Sequence, residues 1–182
     1  MFGVLICRDD CGSPVVLRAF SGQYNGLWQV EGWTGPIFDV TAFNDLIHRP
    51  EQEIKRMGRE LAALPRGSGH YRQLLTQRRT LSQHLMRDIH GLYQLVNARG
   101  ETKPLSAVFL GSGAPPAGTG DCCGPKLLYH AFSRGLKPEA MAEFYWGRSN
   151  PSSTRQQGRF YPACSGKCRP ILGFMLCGLD RQ

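Results

Sequence analysis

The sequence predicts an α/β domain in which a mixed sheet is flanked by helices and a long antiparallel helical hairpin is inserted. Apolar and β-branched runs lie near both ends of the chain, a region of helical periodicity separates them, and two cysteine-bearing loops each lead into an apolar helical run. The 182 residues are expected to form a single domain, 1–182, with the helical hairpin at 42–98 and a cysteine-bearing α/β core at 105–179.

Five segments have the composition of extended structure. Residues 2–7 and 15–20 are apolar runs joined by a Gly-Ser-Pro turn, which predicts a β-hairpin. A third short extended piece followed by a loop is expected within 21–36, which is rich in glycine and aromatic residues. Residues 105–110 and 140–146 are the remaining predicted strands, because both are short apolar or aromatic runs bounded by Gly and Pro.

The middle of the chain has helical periodicity. A helical pattern runs from about Ala42 to Leu64, and Pro50 is expected to interrupt it and begin a second helix. Residues 65–69 break the pattern, and a longer helix is predicted from there to about Ala98. Because each helix has a narrow apolar stripe and the connection is short, the two are expected to pair as an antiparallel hairpin.

The chain is basic, with 22 Lys and Arg against 14 Asp and Glu and a net charge of +8. This balance is compatible with RNA, either rRNA or tRNA, as a partner, since cationic side chains neutralise phosphates. The alternative is an ordinary solvated face of a long helix. The residues predicted to contact RNA are Arg72, Arg78, Arg79, Arg87, Lys126 and Lys167.

The sequence predicts neither a membrane partner nor export. No apolar run reaches the roughly 18–20 residues that a membrane span requires. The N-terminus has no basic region before its short apolar run, so a signal peptide is not expected. We therefore expect a cytoplasmic protein, in which disulfides are disfavoured.

Seven cysteines are more than packing requires, and three of them have a spacing suited to metal. Cys164 and Cys168 are about one helical turn apart, and Cys122 or Cys123 precedes them at the start of an earlier helix. Thiols at helix N-termini have lowered pKa values, and the thiolate is the form that binds metal. The predicted cofactor is zinc held by Cys122, Cys164 and Cys168; reduced thiols without metal, and a redox or nucleophilic cysteine, are the alternatives.

This order of cysteines resembles the zinc-dependent nucleotide deaminases, in which three protein ligands hold zinc beside a water. That family has a catalytic Glu two residues after the first ligand, whereas the equivalent position after Cys122 is Gly124. Its second pair of ligands is spaced Cys-x2-Cys rather than Cys-x3-Cys. Glu143 is the nearby carboxylate that the sequence offers as a replacement.

Several motifs resemble the N-terminal extension of long bacterial RluA-type RNA pseudouridine synthases. They are Asn-Ala-Arg-Gly-Glu at 97–101, Pro-Pro-Ala-Gly-Thr-Gly-Asp-Cys at 115–122, Pro-Lys-Leu-Leu at 125–128, Met-Ala-Glu-Phe-Tyr-Trp-Gly at 141–147 and Phe-Tyr-Pro-Ala-Cys-Ser-Gly-Lys-Cys at 160–168. That family's pattern has one cysteine at the first cluster, which matches Cys122. Its catalytic Arg-Leu-Asp motif is missing, and the similar Gly178-Leu179-Asp180 is given no catalytic role.

The resemblance implies an accessory part without the catalytic domain, either truncated or separately encoded. The first hypothesis is therefore a non-catalytic module that engages RNA, with a pseudouridine synthase domain as a further partner. The second is a zinc-dependent hydrolase of deaminase type. The third is a protein-interaction module whose helical hairpin pairs with another chain, including a second copy of itself.

Overall fold

The fold combines a small antiparallel sheet with five helices in a computed structural model that describes residues 1–149, 152 and 154–179. Along the chain the elements are β1 (Phe2–Arg8), β2 (Pro14–Phe20), α1 (Val40–Ala63), α2 (Gly69–Gly91), β3 (Gln94–Val96), β4 (Thr102–Pro104), α3 (Leu105–Val108), α4 (Cys123–Ser133), β5 (Lys137–Phe144) and α5 (Arg169–Met175). The α/β class and the inserted helical hairpin are confirmed. Asp180 lies outside the described residues.

The chain divides into two units. Met1–Ile37 together with Tyr93–Gln182 form the first unit, which contains the sheet and the cysteine-bearing helices. Phe38–Leu92 form the second unit, which is the helical hairpin.

The main sheet has three strands in the order β2-β1-β5, and both pairings are antiparallel. The sheet is therefore antiparallel and not mixed as expected. The strand expected at 105–110 is also wrong, since the short helix α3 occupies Leu105–Val108. Its buried residues, Leu105 and Val108, are three apart, which suits one helical turn. The extended piece expected within 21–36 is a looped segment, since glycines there have φ values that a strand does not allow, such as +79° at Gly26.

Helix α4 packs against one face of this sheet. Strand alternation directs Leu5 and Cys7 of β1 toward it, and both are buried. Gly3 permits the closest approach, because a Cβ there would lie 2.6 Å from the Cβ of Cys123. The full core cluster is Leu5, Cys7, Leu17, Ala19, Cys123, Leu127, Ala131 and Leu136.

The helical hairpin begins at a side-chain cap. Asp39 accepts a 2.7 Å hydrogen bond from the backbone N–H of Ala42, so α1 starts before the predicted position. The expectation that Pro50 begins a second helix is wrong, because α1 continues through it. We attribute this continuity to the cap and to the amphipathic pairing with α2, which outweigh the one hydrogen bond that a proline cannot donate.

Helix α2 is shorter than predicted. Ser68 caps its first turn by accepting from the N–H of Tyr71, and the helix ends at Gly91 rather than near Ala98. Residues Gln94–Val96 form β3, which pairs with β4, and sheet pairing therefore replaces the last predicted turns. Every helix among the described residues is too short or too polar to cross a membrane.

Candidate metal centre

The first cysteine is held at the start of α4 by an ordered loop. Cys122 is the residue that caps α4. The preceding Asp121 accepts a 2.6 Å hydrogen bond from the Tyr93 hydroxyl, and its carbonyl accepts a 2.8 Å bond from the N–H of Gly22. Gly120, with φ of +95°, packs against the Tyr93 ring, where a Cβ would come within 3.0 Å. These contacts fix the backbone immediately before Cys122.

The second pair of cysteines lies in a turn beside the end of β5. The N–H of Tyr161 donates to the carbonyl of Glu143 at 2.9 Å, which ties this segment to the strand. The chain then turns at Cys164, whose carbonyl accepts from the N–H of Arg169 at 3.0 Å and whose sulfur accepts from the N–H of Cys168 at 3.3 Å. Cys168 caps α5.

The three predicted sulfurs come together. The Sγ atoms of Cys122, Cys164 and Cys168 all lie within 4.8 Å of one another, close enough to hold a metal ion. The Sγ–Sγ distance between Cys122 and Cys164 is 3.9 Å. A tetrahedral zinc with bonds of about 2.3 Å places its sulfur ligands roughly 3.8 Å apart, so the arrangement fits the size of this ion.

The environment favours a thiolate at this centre. The hydrogen bond from the Cys168 thiol lowers the pKa of Cys122 to about 7, against the opposing effect of burial. The same hydrogen bond, together with burial, raises the pKa of Cys168 well above that of an ordinary thiol. The cluster therefore concentrates its first negative charge on Cys122, and a bound cation would favour ionisation of the others.

The neighbouring Cys123 belongs to the core instead. Its sulfur lies 3.3 Å from the Ser21 hydroxyl oxygen and 3.5 Å from the carbonyl oxygen of Ala19, and burial raises its pKa to about 11. His130, further along α4, is also outside the cluster, because its Nε2 lies 3.1 Å from the carbonyl oxygen of Gly35. Helical rotation separates the adjacent Cys122 and Cys123 into two environments.

Glu143 brings a carboxylate to the start of α4 from β5. Its Oε1 accepts a short hydrogen bond from the N–H of Gly124, and a Cβ at Gly124 would lie 3.1 Å from that oxygen. Burial raises the pKa of Glu143, and its charge in turn raises the pKa of Cys122. A carboxylate from the strand thus lies beside the helix position that follows the first cysteine by two residues.

The expectation that Lys126 contacts RNA is wrong. The side chain is fully buried, and its Nζ donates to the carbonyls of Phe20 at 3.0 Å and Gly22 at 2.9 Å. The Nζ also lies 4.9 Å from the centre of the Phe20 ring. Lys126 follows the apolar side of α4 into the core, a placement that its charge alone does not predict. Lys167, by contrast, is exposed next to Cys168.

The arginines of α2 differ in their exposure and in their bonding partners. Arg72, Arg79 and Arg87 are exposed, and none of the ion pairs found within residues 1–149, 152 and 154–179 includes them. Arg78 is half-buried and donates from Nε to the carbonyl of Ile54 at 3.3 Å, so it joins the two helices. On α1, Lys55 pairs with Glu51, and Arg56 pairs with Glu53 and Glu60.

Comparisons with protein-family models, with curated proteins and with solved structures found no match to this chain. The cysteine centre and the charge of α2 are therefore the features from which a function can be inferred.

Proposed function

We propose that this chain is a non-catalytic accessory module that engages RNA, related to the extension of RluA-type pseudouridine synthases, with zinc bound at its cysteine centre. The observation that carries the proposal is the free positive charge of α2. Arg72 and Arg79 are two helical turns apart on one stripe, both exposed and both outside the ion pairs described above. Two exposed guanidinium groups on one stripe of a helix can each neutralise a phosphate of a nucleic acid strand.

Zinc has a structural role in this proposal. Cys122, Cys164 and Cys168 would hold the ion between the start of α4 and the start of α5, which are 46 residues apart in the chain when counted between the two cap residues. The ligand set suits zinc because thiolates are its preferred soft ligands. Binding would cross-link the starts of α4 and α5, and it would add its free energy to folding.

The RNA proposal predicts a change in salt dependence. Replacing Arg72→Gln and Arg79→Gln together removes two phosphate contacts. The slope of log Kd against log salt for a single-stranded RNA should then fall by about 1.4, and binding should weaken by roughly 25-fold at 0.1 M salt. Fluorescence anisotropy at four or more salt concentrations measures both quantities.

A matched double variant on the other helix controls for net charge. Lys55→Gln with Arg56→Gln removes two positive charges that are already paired with carboxylates. We expect it to change Kd by about twofold or less, because these side chains are already neutralised by their neighbours. An equal loss of RNA affinity in the two double variants would contradict a specific role for α2. It would leave only non-specific attraction by net charge.

A second candidate function, a zinc-dependent hydrolase of deaminase type, is favoured by the position of Glu143. A three-ligand zinc leaves one coordination position open for water, and bound zinc lowers the pKa of that water. Glu143 holds its carboxylate against the N–H of Gly124, near enough to Cys122 to affect the charge there. From this position it would hold and move a proton, the task that the missing helix Glu has in the deaminases.

The substitution Glu143→Gln separates the structural and catalytic contributions of this carboxylate. Burial raises the pKa of Glu143 in the folded state, so the stability it contributes is present below about pH 4.5 and is lost as the pH rises through the folded-state pKa. Glutamine keeps the acceptor for Gly124 and carries no charge. The variant should therefore be at least as stable as the wild type at pH 7, and the difference should vanish near pH 4.

Urea unfolding at several pH values measures this difference. A variant less stable than the wild type at pH 7 would show that the ionised carboxylate stabilises the fold through the Gly124 N–H. If the zinc-loaded wild type releases ammonia from a nucleobase, the same substitution should lower that rate by about 100-fold or more. Retention of the rate would eliminate Glu143 as its acid or base.

A further inference from the structure

The sheet face opposite α4 carries three phenylalanines in one row. Phe2 on the central strand is the register partner of both Phe20 on β2 and Phe144 on β5. Because side chains alternate along a strand, Phe2 points away from the face on which Gly3 meets Cys123. The rings of Phe2 and Phe144 are stacked with centres 6.2 Å apart. We call these three side chains the aromatic row.

A cavity of about 380 Å³ opens over the aromatic row. Its walls are Phe2, Phe20, Tyr24, Val30, Trp33, Phe144 and Trp146. The Trp33 ring packs beside two other walls, with its centre 5.5 Å from that of Phe2 and 6.0 Å from that of Phe20. Tyr24 and Trp146 remain 46% and 62% exposed, so two large rings stand at the entrance. The volume is within the range of small-molecule sites.

Two exposed arginines neighbour walls of the cavity in the sequence. Arg18 is exposed two residues before Phe20 on the same strand face, and Arg148 is exposed two residues after Trp146. Behind the wall, the Nζ of Lys126 lies 4.9 Å from the centre of the Phe20 ring. The residues that line the cavity are all uncharged and six of the seven are aromatic. A ligand that satisfies both features has a flat apolar ring attached to negative charge.

We propose that this cavity binds an unpaired nucleobase of single-stranded RNA by stacking. The inference deepens the RNA-binding function proposed above and rests on it, because it names the form of RNA that is recognised. Every nucleobase has a π-face that can stack on an exposed tyrosine or tryptophan, and its flanking phosphates would meet Arg18 and Arg148. A base inside a duplex is already stacked on its neighbours and cannot enter.

Two oligonucleotides of equal length and charge test this inference: single-stranded oligouridine and an abasic strand. The wild type should bind oligouridine about tenfold more tightly than the abasic strand, since one base–aromatic stack contributes that order of affinity. The double variant Tyr24→Ala with Trp146→Ala should lose this preference and bind both strands alike. Because both side chains are at the entrance, the fold should persist, which circular dichroism checks.

Two controls separate this inference from the proposed function. Leu110→Ala removes another exposed apolar side chain, 80% exposed and outside the cavity, and should keep the tenfold preference. The single variant Trp146→Ala should lower the preference and reduce the quenching of tryptophan fluorescence by oligouridine. The double variant Arg72→Gln with Arg79→Gln should weaken the binding of both oligonucleotides by the same factor and leave the tenfold preference unchanged.

Equal affinity of the wild type for the two strands would overturn the base-binding inference. If both strands then bound with the salt dependence described above, the proposed RNA function would still stand. A retained tenfold preference in the Tyr24→Ala and Trp146→Ala double variant would equally overturn it, because the stacking base would lie elsewhere.

Discussion

The variant Cys122→Ser is expected to lose zinc, whereas the variant Cys123→Ser, altered at the adjacent residue, is expected to keep it. The Cys122 sulfur lies within 4.8 Å of those of Cys164 and Cys168, while the Cys123 sulfur contacts Ser21 and Ala19 in the core. Loss of an outer-shell partner alone costs about 10–100-fold in metal affinity, so loss of a direct ligand should cost more.

Metal analysis of the purified protein measures this difference. We expect about one equivalent of zinc in the wild type and in Cys123→Ser, and less than about a tenth of an equivalent in Cys122→Ser, Cys164→Ser and Cys168→Ser. Cys11→Ser removes an exposed cysteine in a turn and should also keep its zinc. It controls for the loss of any accessible thiol. Unchanged zinc in all three ligand variants would disprove the centre.

The free energy of unfolding should depend on whether zinc is bound. Zinc that joins the starts of α4 and α5 binds the folded state more tightly than the unfolded chain, and it therefore raises the free energy of unfolding. A chelator should lower the midpoint of urea unfolding of the wild type and leave that of Cys168→Ser unchanged. A chelator effect of equal size in both proteins would show that the metal acts at another site.

The sequence was informative where chemistry depends on local spacing. Cys164 and Cys168 are four residues apart, and Cys122 begins a helix after a Gly-rich loop, so local spacing identified the three candidate ligands. Their meeting, across 42 residues between Cys122 and Cys164, is a tertiary contact. The long helices were also predictable, because a periodic apolar stripe extends over more than 20 residues of α1 and α2. RNA binding and pairing of the hairpin with a second chain remain predictions.

The features that were missed depend on contacts distant in sequence. Leu105 and Val108 fit either a buried strand or one helical turn, and only their tertiary neighbours decide between them. The aromatic row forms because β5 joins β1 at the register that pairs Phe144 with Phe2, more than 100 residues apart. The ammonium group of Lys126 is buried where the carbonyls of Phe20 and Gly22 accept from it, and no local sequence pattern predicts those partners.

Lys126→Ala is expected to give the largest loss of stability among single substitutions outside the metal centre. The buried ammonium satisfies the carbonyls of Phe20 and Gly22, and its stem fills space beneath the Phe20 ring. Each buried carbonyl left without a donor costs about 1–3 kcal/mol, and the cavity left by the stem adds to this. We therefore expect a loss of at least about 3 kcal/mol in the free energy of unfolding.

Lys126→Met separates the contribution of the hydrogen bonds from that of packing, since methionine keeps most of the side-chain volume and has no donor.

The stability that Lys126 contributes should depend on pH. Burial lowers the pKa of Lys126, so the unfolded chain binds the proton more tightly, and the wild-type free energy of unfolding rises with pH up to about 10.5. The deficit of Lys126→Met should consequently grow as the pH rises toward about 10.5. Lys137→Met, at an exposed lysine on β5, should show neither the deficit nor its pH dependence in urea unfolding. A deficit for Lys126→Met that shrinks as the pH rises would mean that the positive charge of the ammonium, and not the donor geometry, stabilises the carbonyls of Phe20 and Gly22.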